Sequence, residues 1–205
     1  MYKDYDKIVF IHIPRTGGNT MKYTLRNSKY KDNFISSDHK PLSHYCKDKN
    51  KYFFFTIVRN PYKRIISWYN YHKHIIGREY RADFKSWVLD HDFKTHWPKK
   101  TMASRDPLSM WKFLCCEEND KIYENIFILK NENYENDYKN LLNFLGMDFV
   151  NLDIHSGNTR SLSNSYNKYK SKLSSDIKDY YDREMLDRVN ERFKKDFELF
   201  NYERI

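Results

Sequence analysis

The sequence predicts an α/β fold: a single domain over residues 1–205, with a mostly parallel sheet flanked by helices. Three observations carry this. Three short apolar runs rich in β-branched and aromatic residues recur along the chain, each is followed by a helix-like stretch, and turn- or cap-forming residues stand between run and helix. Runs without polar alternation suit strands buried on both faces, and parallel neighbours need a crossover, usually a right-handed one through a helix. A length of 205 residues suits one well-buried domain and is short for two.

The first run is Lys7-Ile8-Val9-Phe10-Ile11-His12-Ile13, read as a strand. After Pro14-Arg15-Thr16-Gly17-Gly18, good helix formers extend from Asn19 to about Asn27, with Met21 and Leu25 four apart on one face. The second run, Tyr52-Phe53-Phe54-Phe55-Thr56-Ile57-Val58, breaks at Arg59-Asn60-Pro61. Asn is a favoured N-cap and Pro a favoured first helical residue, which predicts a helix from Pro61 to about His74. The third run is Asn125-Ile126-Phe127-Ile128-Leu129-Lys130, with a helix from about Glu135 to Leu145 and Gly146 as its left-handed C-cap. Residues 78–120, with Trp87, Trp97 and Trp111 spread through them, read as helices covering one end of the sheet. Leu186, Val189, Phe193, Phe197 and Phe200 form one apolar stripe on a final helix over roughly residues 175–200, a core-facing pattern. The Ser/Asn/Lys-rich stretch 156–175 reads as a long loop, which in a compact domain is usually functional or disordered.

Hydrophobic residues make up 40% of the chain and charged ones 32%, the balance of a soluble globular protein. No apolar run approaches the ~18 residues of a membrane span, and the first residues lack the apolar core of a signal peptide, so a cytoplasmic location is expected. The cysteines are Cys46 and the adjacent Cys115-Cys116; sequence neighbours rarely reach ordinary disulfide geometry, so reduced thiols are expected, and no Cys/His spacing suggests a structural zinc. The net charge of +9 is uneven: residues 1–105 hold 22 Lys/Arg against 9 Asp/Glu, and residues 106–205 hold 15 against 19. The first half is built to meet an anion. Charge alone does not separate a nucleic acid, an acidic polysaccharide, a membrane surface and a phosphorylated cofactor.

Thr16-Gly17-Gly18-Asn19-Thr20 lies between a buried strand and a helix, where backbone N–H groups and the helix dipole favour a phosphate. Two glycines allow close approach, and Thr16, Asn19 and Thr20 add side-chain donors, although an ordinary tight turn has the same composition. The loop lacks the Lys and hydroxyl of G-x-x-x-x-G-K-[ST], which disfavours a nucleoside triphosphatase or kinase, and G-x-G-x-x-G is absent as well.

His12-Ile13-Pro14-Arg15-Thr16-Gly17-Gly18 resembles the 5′-phosphosulfate-binding loop of sulfotransferases that use 3′-phosphoadenosine 5′-phosphosulfate (PAPS). The resemblance is nearest to the carbohydrate O-sulfotransferases of the heparan sulfate 2-O/6-O type, which carry H-I-P-K-T-G-G. Ile57-Val58-Arg59-Asn60-Pro61-Tyr62-Lys63-Arg64-Ile65-Ile66-Ser67 is similar to their 3′-phosphate element V-R-[DN]-P-x-x-R-x-x-S, and Lys195-Asp196-Phe197-Glu198-Leu199-Phe200-Asn201-Tyr202 to their closing D-F-x-x-F-G-Y. The resemblance spans most of the chain. It implies the sulfotransferase fold, which is similar to that of P-loop nucleoside triphosphatases, and transfer of the sulfuryl group of PAPS to an acceptor hydroxyl, without a metal.

On the same resemblance, Arg15, Thr16, Gly17, Gly18, Asn19 and Thr20 hold the 5′-phosphosulfate, and Arg59 and Ser67 hold the 3′-phosphate. Arg15 stands where many relatives carry Lys. Arginine does not donate a proton at ordinary pH, so electrostatic stabilisation alone is expected of it. Ser156-Gly157-Asn158-Thr159-Arg160-Ser161 resembles the late loop that folds over the nucleotide, with Arg160 as an added phosphate ligand. Transfer to a hydroxyl calls for a base, and His39, between the two motifs in Ser37-Asp38-His39-Lys40-Pro41, is the candidate; His12, expected to be structural, and His44 compete. Lys99 and Lys100 are either a solvated basic pair or contacts for an acidic acceptor. A carbohydrate is the favoured acceptor, with a tyrosine or a small alcohol as alternatives; the rival of another class is a basic nucleic-acid-binding module, although neither a nucleic-acid nor a membrane partner is expected.

Overall fold

Lys7–Ile11 (β1), Phe34–Ser36 (β2), Tyr52–Val58 (β3) and Ile126–Lys130 (β4) pair in parallel, in the order β2-β1-β3-β4. They belong to a computed structural model that describes residues 4–71, 73, 83–89, 109–116, 121–152 and 176–205. The chain divides into two compact units, Met1–Arg59 with Pro98–Asn158 and Asn60–Trp97 with Thr159–Ile205.

The first unit contains the whole sheet, in register Ile8 to Phe34, Val9 to Phe54 and Phe55 to Phe127. Its central strands β1 and β3 are mostly apolar because both faces are covered. Ile8, Phe10, Phe55 and Ile57 pack in one core with Met21 and Leu25 of helix α1 (Gly18–Arg26) and with Tyr138, Leu141, Leu142 and Leu145 of helix α4 (Tyr134–Leu145). On the other face Phe54 lies edge-on to Tyr45 of the 3-10 helix Leu42–Lys51 and to Tyr123. Each buried aromatic or aliphatic side chain here contributes roughly 1.5–3 kcal/mol. The parallel α/β reading holds. β2 was not anticipated, since its three residues form a half-buried edge strand too short for a periodic signal. Helix α4 ends as expected: Gly146 has φ +69°, and the N–H groups of Gly146 and Met147 donate to the carbonyls of Asn143 and Leu142 at 3.0 and 2.9 Å.

The expectation of reduced thiols is corrected at two positions. Cys46 and Cys116 form a disulfide, with Cα atoms 5.6 Å apart, that ties the 3-10 helix Leu42–Lys51 to the segment 109–116. Cys115 remains a thiol and donates to the Trp111 carbonyl.

The second unit comprises the helices Pro61–Tyr71 (α2), Phe84–Leu89 (α3), Arg183–Arg192 (α5) and Lys194–Leu199 (α6). Asn60 caps α2 as predicted, its side-chain oxygen accepting from the Lys63 N–H at 3.3 Å. The helix is described to Tyr71; His74 lies outside the described residues. Tyr62, buried, faces Tyr181 and Phe197 with ring centroids 5.5 and 5.0 Å away, and its hydroxyl donates to Asn190. The single final helix expected over roughly 175–200 is instead broken. Asp182 caps α5 by accepting from the Met185 N–H at 3.0 Å, and Phe193, at φ −110° and ψ 21°, separates α5 from α6. Val189, Phe193, Phe197 and Phe200 stay buried across the break, so the stripe still faces the core, while Met185 is buried where Leu186 is only half-buried. Of residues 78–120, α3 falls in this unit and the 3-10 helix Trp111–Leu114 in the first, while Trp97, Lys99 and Lys100 lie outside the described residues. No helix among the described residues is long and apolar enough to cross a membrane.

Candidate active site

Strand order fixes where a ligand meets this sheet. From β1 the chain moves outward to β2, and from β3 it moves outward on the opposite side to β4, so the carboxyl ends of β1 and β3 bracket a topological switch point. Arg15 follows β1 and Arg59 follows β3, and the two meet: an Arg59 Nη1–H donates to the Arg15 carbonyl at 3.3 Å.

The loop after β1 is shaped by bonds to its carbonyl groups. The oxygens of Ile13, Arg15, Thr16 and Gly17 accept, in order, from the Thr16 hydroxyl at 2.8 Å, Arg59 at 3.3 Å, Asn131 Nδ2 at 3.0 Å and the Tyr134 hydroxyl at 3.4 Å. Gly17, at φ +93°, is the N-cap of α1 and supplies no side-chain cap. The first N–H groups of α1 have no intrahelical acceptor, and no acidic residue sits in its first turn. Side chains are excluded at both glycines: a Cβ on Gly17 would lie 2.6 Å from Asn131 Nδ2, and one on Gly18 would overlap the His12 ring. Thr16 is buried and its hydroxyl hydrogen is already engaged by Ile13, so its side chain shapes the loop rather than supplying the donor expected of it; Asn19 is exposed and Thr20 half-buried.

His39 stands beside this loop. Its Nδ1 lies 2.9 Å from the His12 carbonyl oxygen, and a carbonyl only accepts, so Nδ1 carries the hydrogen and Nε2 keeps its lone pair. Burial lowers the His39 pKa below the ordinary imidazole value, with Lys22 and Arg15 adding to the effect against the opposing His12 carbonyl and Asp38. At neutral pH the ring is therefore neutral. His12 is 4% exposed, its ring centroid 4.3 Å from that of His39, and burial holds its pKa well below the usual range. Its backbone N–H donates to Ser37 Oγ at 3.0 Å, and its ring covers Gly18. His44 is exposed, its ring against Tyr45. Arg15, Asp38 and His39 all have positive φ (66°, 47° and 73°), three of the four non-glycine residues so disposed among the described residues. Such strain, typically about 1–3 kcal/mol per residue, gathers where function over-determines the backbone.

A comparison with protein families decides the class: the model described as "Sulfotransferase family" matches residues 1–203. The chain belongs to the sulfotransferase family. Its chemistry is thereby that of a sulfuryl-group transferase. No curated protein matches the chain closely enough to refine this.

In this sulfotransferase the first unit brings together Arg15, Thr16, Gly17, Gly18, Asn19, Thr20, His39 and Arg59. Ser67 lies half-buried on α2 in the second unit, and Arg160 with its loop lies outside the described residues. Sequence reasoning missed Asn131 and Tyr134, which hold the glycine loop, and Ser37, which holds His12. The signal for the first two was present, because Asn131-Glu132-Asn133-Tyr134 is the third strand-to-helix junction and the other two had already been singled out.

Proposed function

We propose that this protein transfers the sulfuryl group of PAPS to a hydroxyl of a carbohydrate acceptor. The observation that carries the reading is the meeting, at the switch point, of an uncapped glycine-built helix start, two arginines and a histidine whose free nitrogen is an acceptor. PAPS fits these residues in charge. Its phosphates are anions, and the α1 start has no acidic residue of its own. When bound, PAPS supplies a sulfuryl group attached to a phosphate that leaves.

The residues then divide the work. The N–H groups at the start of α1 and the guanidinium of Arg15 stabilise negative charge on the leaving phosphate side, and Arg15 does so without donating a proton. Arg59 offers a planar fork of donors to the 3′-phosphate, with its orientation fixed through the Arg15 carbonyl. His39 Nε2 takes the proton of the acceptor hydroxyl, and the charge that forms on the ring is stabilised through Nδ1–H and the His12 carbonyl. On this reading Ser67 and Arg160 are further phosphate ligands, as the resemblance implies.

Incubation with PAPS labelled in the sulfuryl group and a panel of polysaccharide, peptide and small-alcohol acceptors tests the proposal. Label on a polysaccharide supports it. Label on peptide tyrosine or a small alcohol keeps the transfer and overturns the acceptor, and no label on any member overturns both.

A further inference from the structure

The segment that carries the proposed base is a tight turn. The Lys40 N–H donates to the Ser37 carbonyl at 3.0 Å, and the two residues between them, Asp38 and His39, have positive φ (47° and 73°). Such a pair of values belongs to the type I′ turn, whose central positions favour Asn, Asp and Gly. Aspartate suits the first of them. Histidine at the second is strained, and it stays there because its surroundings hold it.

The holding groups come from two elements. From the end of β1, the Phe10 carbonyl accepts from the Ser37 N–H at 2.9 Å, and the His12 carbonyl accepts from His39 Nδ1 at 2.9 Å. From α1 comes Lys22, whose ammonium pairs with the Asp38 carboxylate. Ser36 Oγ steadies the same carboxylate, donating to Oδ1 at 3.3 Å and accepting from the Asp38 N–H at 3.4 Å. Against the upward pull of burial, Lys22 and Ser36 keep the Asp38 carboxyl below its usual range, so it is ionised at neutral pH. Lys22 stands one helical turn beyond Gly18, on the same face of α1, and Gly18 meets the His12 ring. One face of the helix thus touches both residues that frame the base.

We propose that Lys22 and Asp38 are positioning residues, whose ion pair locks the strained turn that aims His39 and ties the base to the helix whose start receives the donor. This rests on the reading of His39 as the base. With side chains 22% and 57% exposed, the pair adds little to the stability of the fold, so its contribution is to orientation. The orientation has a chemical signature. The His12 carbonyl selects the Nδ1–H form of His39, the minor tautomer of a free imidazole, and a loosened turn gives that selection up.

The test reads the His39 tautomer by imidazole nitrogen NMR on the full chain, the signal being assigned by its loss in His39→Ala. Lys22→Met, Asp38→Asn and the conservative Lys22→Arg are compared with wild type, and amide spectra report that each is folded. Wild type and Lys22→Arg are expected to hold the hydrogen on Nδ1. Lys22→Met and the isosteric Asp38→Asn are expected to lose that state to a mixture dominated by Nε2–H, with unchanged affinity for adenosine 3′,5′-bisphosphate. Turnover of PAPS on the acceptor that takes the label should fall roughly 10- to 100-fold in those two variants, the cost of a misplaced group, and return in Lys22→Arg. The double variant Lys22→Met/Asp38→Asn should be no slower than either single one, because the pair acts as a unit. An Nδ1–H signal that survives both Lys22→Met and Asp38→Asn would overturn the proposal, as would its loss in Lys22→Arg. Weakened bisphosphate binding in Lys22→Met would overturn it too, by making Lys22 a phosphate ligand. Loss of the signal with turnover intact would instead overturn the reading of His39 as the base and leave the role of the pair in the turn standing.

Discussion

Helices α1 and α4 start at the carboxyl ends of parallel strands in the same unit, yet their first turns are made differently. α4 brings its own anions, Glu135 and Asp137, and the Asp137 carboxylate accepts from the Lys130 N–H and from Asn133 Nδ2, both at 2.7 Å. α1 has no acidic residue in its first turn, and its N-cap is a glycine in the left-handed region; neither helix has a side-chain cap. One helix carries negative charge of its own beside its positive end. The other carries none, and around that end the backbone strain, the two arginines and the histidine pair collect.

The largest effects should come from residues that have no counterpart at α4. His39→Ala should lower kcat by about 10²–10⁴ and Arg15→Ala by about 10²–10³, with adenosine 3′,5′-bisphosphate affinity nearly unchanged in His39→Ala. Because the neutral ring is the active form and its pKa is lowered, wild-type turnover should be full at neutral pH. It should fall in acid through a midpoint below the ordinary histidine value. A pH–rate profile of wild type and His39→Ala checks this, and an acid limb that survives in the variant would move the base elsewhere.

Gly18→Ala sharpens the comparison on the side of packing. The added methyl group meets the buried His12 ring, and overpacking of this kind costs typically about 1–3 kcal/mol. Chemical denaturation should register that loss together with weaker nucleotide binding. Wild-type stability would mean the His12 ring does not cover the glycine.

The smallest effect is expected at α4. Asp137→Asn should lower stability by about 0.3–1 kcal/mol, the usual size of a charge at a helix end, with no change in nucleotide affinity. A change in affinity would show that α4 also serves the ligand.

Much of this was legible in the sequence where one element carries its own signal. β1 and β3 are buried on both faces, so their apolar runs could mean little else, and Asn60-Pro61 and Gly146 mark helix ends by their own chemistry. What was missed depends on partners far along the chain. The bonds of Asn131 and Tyr134 to Thr16 and Gly17 cross more than a hundred residues and exist because the parallel sheet brings the ends of its strands together. The Cys46–Cys116 disulfide spans 70 residues, a separation that leaves no local signal. The break at Phe193 leaves the apolar stripe intact, so a periodicity argument has no means of detecting it.

The central claim is that the α1 start and Arg59 together hold a nucleotide with phosphates at both its 5′ and 3′ positions. Titration calorimetry with adenosine 3′,5′-bisphosphate and with adenosine 5′-monophosphate, on wild type and Arg59→Ala, tests it most directly. The account predicts that wild type prefers the bisphosphate by about 30- to 1,000-fold, the worth of a charge-assisted pair of hydrogen bonds at roughly 2–4 kcal/mol, and that Arg59→Ala loses that preference. Equal affinity of wild type for the two nucleotides, or an undiminished preference in Arg59→Ala, would contradict it.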